Sequence, residues 1–177
     1  AMLHARNRTI ALSGLFVALG LMLPTLFHAV GLGSVFLPMF WPVAMAGFFL
    51  PWPLAAAVAL LTPILSSLLT GMPPVSPPIL HLMVAELISL ALVVALLHRF
   101  VRWGLFWILL AGLAVSRLVC FFAARVLAEW LGLPASWSAL AMVVKGVPGI
   151  IGMLLLLPLL THRLKQENLF SDRQSHV

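Results

Sequence analysis

Residues 79–97 read ILHLMVAELISLALVVALL, and this stretch decides the fold. It is apolar apart from His81, Glu86 and Ser89, is bounded by Pro77-Pro78 on one side and His98-Arg99 on the other, and has no turn residue inside it. A helix needs about 20 such residues to cross the hydrocarbon core of a bilayer. A carboxylate inside that core costs about 2.5–3.5 kcal/mol on insertion scales, so Glu86 must face a bundle interior or a wet cavity rather than lipid. The stretch is therefore one transmembrane helix of a larger bundle.

Composition outside the stretch agrees. The 177-residue chain is 63% hydrophobic and 8% charged, against about 45–50% and 25% for a soluble domain. So few charges cannot cover a water-facing surface. One cysteine, Cys120, excludes a disulfide framework and any CxxC metal site. The net charge of +6 is spread between apolar runs and makes no phosphate-binding groove, so nucleic acid is not an expected partner.

Five further apolar runs complete an all-α, polytopic membrane protein of six transmembrane helices: 9–27, 36–50, 53–70, 103–130 and 137–160, besides 79–97. Gly and Pro punctuate the joins, at Gly31 and Gly33, Pro51 and Pro53, 71–78, and Gly132 with Pro134. Residues 1–8 form a short leading segment, 9–163 the membrane domain and 164–177 a polar tail. Arg6 and Arg8, Arg99 and Arg102, and Arg163 and Lys165 fall on one side, while the loops 28–35, 71–78 and 131–136 hold no Lys or Arg. Basic residues mark cytoplasmic loops, so both termini are expected in the cytoplasm.

Glu86, Arg117, Arg125 and Lys145 lie within spans. At about 1.5 Å per residue, Glu86 is about 11 Å, Lys145 about 12 Å and Arg117 about 20 Å from the outer helix ends. Two readings follow: a solute cavity open outward, or an interhelical ion pair of Glu86 with Arg117 or Lys145 that locks the bundle. The excess of base over acid favours the cavity and a ligand that is anionic or rich in acceptors. His28 and His81 add polar groups on that side, and Trp137 sits at the expected mouth. Met22 and Met39 are weaker candidates for the wall. Arg125 is a turn from Glu129 and can pair with it or reach outward. Most of the six Trp fall near span ends, as interfacial belts do.

On the first span, Ala11, Gly14 and Ala18 form a small-residue strip that serves either packing within the bundle or docking of a partner helix. No G-x-x-x-x-G-K-[ST], H-E-x-x-H or G-x-S-x-G occurs. Only one buried acid is available, so an enzyme is not expected, and neither cofactor nor metal is.

Residues 36–74, FLPMFWPVAMAGFFLPWPLAAAVALLTPILSSLLTGMPP, resemble the second and third spans of the substrate-binding S components of energy-coupling factor (ECF) transporters. Residues 81–90, HLMVAELISL, are similar to the same family, as are Ser116-Arg117 and 146–160, GVPGIIGMLLLLPLL. The resemblance covers nearly all of 9–163. It implies a subunit of the bacterial cytoplasmic (inner) membrane that binds a vitamin or related micronutrient from outside. Loops 28–35 and 71–78 would close over the ligand. The implied partners are a transmembrane coupling subunit and two ATPases, with release by toppling in the membrane, and Ala11, Gly14 and Ala18 would dock on the coupling subunit. Phe40 and Met153 stand where relatives often carry His and Gln, which implies a more apolar pocket. Arg117 and Lys145 point away from a cation such as thiamine and leave pantothenate, niacin, lipoate, a pterin or a corrinoid open. Two other readings stand beside this one: a carrier working without an ATPase, and an intramembrane enzyme or assembly factor using Glu86 with His81.

Overall fold

The structure is a computed structural model that describes residues 2–76, 78–131 and 143–166, with the side chains of 2–5 and 131 left aside. Its helices are α1 (Met2–Ala29), α2 (Gly33–Phe36), α3 (Phe40–Phe49), α4 (Trp52–Thr70), α5 (Ile79–Phe100), α6 (Leu105–Leu131) and α7 (Val147–Gln166), and no strand occurs among the described residues. By length and composition five of them, α1, α4, α5, α6 and α7, can cross a membrane. The remaining apolar segment, Gly33–Phe49, is shorter. The chain is thus a helical, multi-pass membrane protein with five to six apolar helices.

Besides shifts of one to three residues at other helix ends, the sequence reading needs three corrections. α1 starts at Met2 rather than residue 9, because residues 2–8 contain no Gly or Pro to stop a helix. α7 runs to Gln166 rather than 160 for the same reason. The run 36–50 is broken. Pro38 disfavours the right-handed helical region at Leu37, and Leu37 adopts the left-handed conformation at φ 49°. Only the 10 residues of α3 remain helical, about 15 Å of rise against a hydrocarbon core of about 30 Å. The start of the 137–160 run, with Trp137, lies outside the described residues.

The short α3 is the centre of the bundle. Phe40, Val43, Ala44, Ala46 and Phe48 are all buried, and α5 packs against α3, α4 and α6. Two glycines permit this. A Cβ on Gly47 of α3 would lie 2.8 Å from a Val94 methyl of α5, and one on Gly112 of α6 would lie 2.7 Å from the other. Neither helix could approach Val94 so closely with a side chain there. α1 presents a narrow inner stripe of Phe16, Gly20 and Pro24, spaced one turn apart. Any Cβ on Gly20 would overlap the Thr62 side chain of α4, so glycine lets the two helices pack here. Gly149 of α7 abuts the Phe36 backbone, 2.6 Å from where its Cβ would be.

The two ends of the bundle differ. At one end Lys165 Nζ lies 2.6 Å from His98 Nε2, 5.7 Å from the centre of the Phe49 ring, and His98 meets Phe48 edge-on. At the other end α1 and α4 terminate and α5 begins. Gly31 and Gly71 hold the left-handed turns there, at φ 74° and 71°, a conformation open to Gly without a Cβ clash.

Candidate functional site

A cavity of about 360 Å³ occupies that second end. Its walls come from the end of α1, from 33–39, from the end of α4 with 72–74, and from the start of α5. Each wall is held by local bonding. Leu32 N–H donates to Phe27 O at 2.9 Å and Gly31 N–H to His28 O at 3.0 Å, which folds the chain back after α1. Trp41 Nε1–H donates to Phe36 O at 3.0 Å and secures the bend around Leu37. Ser66 Oγ–H donates to Met72 O at 2.7 Å, tying the loop after α4 to that helix. The Met72-Pro73 peptide within this loop is cis.

The lining is apolar, from Leu37, Met39, Ile79 and Met83 among others, with Thr25, His28, Ser34, Ser66 and Thr70 as its polar side chains. Thr25 and Thr70 hydroxyls donate to carbonyls of their own helices, Leu21 O at 2.9 Å and Ser66 O at 2.8 Å. Ser66 is committed to Met72. His28, whose ring rests on Gly33, and Ser34 are the groups placed to bond a ligand. No Asp, Glu, Lys or Arg is among the lining residues described.

The sequence-derived candidates divide accordingly. His28 lines the cavity, and so does Met39, whereas Met22 lies on the outer side of α1. Glu86 and Arg117 are brought together instead with each other. They form an ion pair between α5 and α6, with 6% and 9% of their surfaces exposed. The Arg117 guanidinium also lies 4.9 Å from the centre of the Phe40 ring and beside Gly146. Leu37 stands against the same face of Gly146 and carries its own contacts to the cavity wall. Arg117 Nε, buried, has no hydrogen-bond partner among the described groups. Lys145 and His81 are exposed and line no part of the cavity. Trp137 lies outside the described residues. Arg125 and Glu129 are exposed and pair at 3.4 Å.

Ala11, Gly14 and Ala18 are exposed on α1, and a Cβ on Gly14 would meet nothing within 4 Å. The strip is therefore not used for packing within the described bundle. Sequence reasoning missed Ser34, Ser66 and Thr70 as wall residues. For Ser34 and Thr70 the signal was available in their position next to Gly33 and Gly71 at the joins between runs, but small hydroxyl residues in apolar helices commonly bond their own backbone and pass unnoticed.

No protein-family model, curated protein or solved structure matches this chain.

Proposed function

We propose that the chain is the membrane-embedded substrate-binding subunit, the S component, of an ECF-type importer in the bacterial cytoplasmic membrane. In this reading all six apolar segments belong to the membrane domain, with both termini cytoplasmic. The observation that carries it is the position of the cavity. It lies under the segments 28–35 and 71–78, which hold no Lys or Arg, at the opposite end of α5 from the His98 and Lys165 contact. A pocket of this size is at the small end of ligand sites, which run from about 300 to 1,000 Å³. A micronutrient is of that scale.

Two features support the rest of the reading. The sequence holds no nucleotide-binding loop, which agrees with ATPases carried by other subunits. The exposed strip of Ala11, Gly14 and Ala18 offers a partner helix a surface that admits close backbone approach.

The test is native mass spectrometry of protein purified from cells grown in rich medium, together with uptake of the compound so identified. A retained small molecule, and uptake that requires the coupling subunit and its ATPases, is expected. Uptake persisting in cells lacking every coupling subunit overturns the S-component reading in favour of a self-sufficient carrier. Gly14→Trp and Ala18→Trp are expected to abolish uptake and leave retention intact.

A further inference from the structure

The cavity has a thin wall on one side. Thr25 of α1 and Thr70 of α4 line it from within, and the same two residues line a second hollow on the outside of the α1–α4 seam, with Leu21, Met22, Leu26 and Leu69. On one side of these hollows the seam is closed at Gly20, where an added Cβ would overlap the Thr62 side chain. Beyond it Pro24 interrupts the α1 hydrogen-bond ladder one turn later. The Thr25 and Thr70 hydroxyls turn back on their own helices, so no hydrogen bond involving them joins α1 to α4 across the opening. Met22, Leu26 and Leu69 at its outer edge are 61%, 60% and 72% exposed. In a spanning bundle those side chains face lipid.

Neither hollow has an Asp, Glu, Lys or Arg among the lining residues described. Taking an ion out of water into such a lining costs several kcal/mol unless it is paired, and the buried Arg117 is already paired with Glu86. An uncharged molecule meets no such penalty and finds His28 and Ser34 for its few polar atoms. A molecule of that kind also concentrates in the bilayer, on the side of the outer hollow. We infer that the cavity takes an uncharged, chiefly apolar ligand, which passes from the lipid between the outer halves of α1 and α4. This rests on the cavity being the ligand site, and it replaces the anionic ligand that Arg117 and Lys145 favoured in the sequence.

Cysteine labelling tests it in vesicles of phosphatidylethanolamine and phosphatidylglycerol. Met83→Cys places a thiol on the cavity wall, Ser76→Cys gives an exposed reference, and the parent chain with buried Cys120 sets the background. The probes are benzyl methanethiosulfonate, uncharged, and its trimethylammonium-ethyl counterpart, cationic. Relative to the reference, the benzyl reagent is expected to modify Met83→Cys at least about tenfold faster, as ion desolvation demands. Thr70→Trp, or Leu69→Trp at an exposed neighbour, is expected to slow it about fivefold by filling the outer hollow. Equal rates for the two reagents, or a benzyl rate unchanged by both tryptophans, overturns the inference. Native mass spectrometry of the same preparations separates the levels. A retained ligand with labelling indifferent to both tryptophans overturns the lateral route alone, whereas no retained ligand and no labelling of Met83→Cys overturns the cavity as well.

Discussion

Glu86 on α5 and Arg117 on α6 neutralise one another inside the bundle, and neither is among the residues lining the cavity. The pair is a constraint on how two helices meet. Breaking such a pair from one side strands a buried charge, whereas replacing both members with apolar groups is often neutral.

Arg117→Ala is therefore expected to destabilise the bundle by about 3–5 kcal/mol, read as the unfolding midpoint in a mixed-detergent titration. The double variant Glu86→Met with Arg117→Met should recover most of the loss. A double variant no better than Arg117→Ala would show that the charges themselves are needed.

Glycine contacts give a contrast inside one experiment. Gly149→Ala puts a Cβ 2.6 Å from the Phe36 backbone, and backbone cannot give way as a flexible side chain does. A cost of about 1–3 kcal/mol is expected. Gly14→Ala enters open space and, with the better helix propensity of Ala, should be neutral or stabilising by up to about 1 kcal/mol.

Ser66→Ala removes the hydroxyl that ties Met72 O to α4. Stability should fall by about 0.5–1.5 kcal/mol, with the effect concentrated in residues 71–76. Amide exchange in that loop should quicken while exchange in α5 stays at the parent rate.

Ligand retention should separate the sequence candidates. His28→Ala and Ser34→Ala each lose a bond worth about 1.4 kcal/mol, or roughly tenfold in affinity. Lys145→Ala and His81→Ala, both away from the lining, should retain the compound at the parent level. A tenfold loss in either of the latter pair would relocate the site.

The membrane class of the chain was legible because it depends on summed composition along helices, and no neighbour can reverse it. The stretch 79–97 became α5 within three residues of the expected end. The broken segment was less legible. The apolar run 36–50 looks like one span, and only the coupling of Leu37 to Pro38 shortens it to α3. The Glu86–Arg117 pair was anticipated as one of two readings. Sequence spacing gives depth along a helix, but the side a residue faces in the bundle depends on how each helix is rotated about its axis.

The sequence by itself determined that the chain lives among apolar helices, which ends carry the basic residues, and that Glu86 must face inward. Each follows from the cost of exposing charge or backbone to hydrocarbon. Tertiary structure alone decided what Glu86 faces, and that the described residues lining the cavity carry no Asp, Glu, Lys or Arg. It also decided that α1 meets α4 at Gly20 and Thr62 and that a hollow lies on the outside of their seam. Those outcomes depend on contacts between residues 31 or more positions apart in the chain, Glu86 with Arg117 and Gly20 with Thr62. No local pattern encodes such contacts, and packing of whole helices selects them.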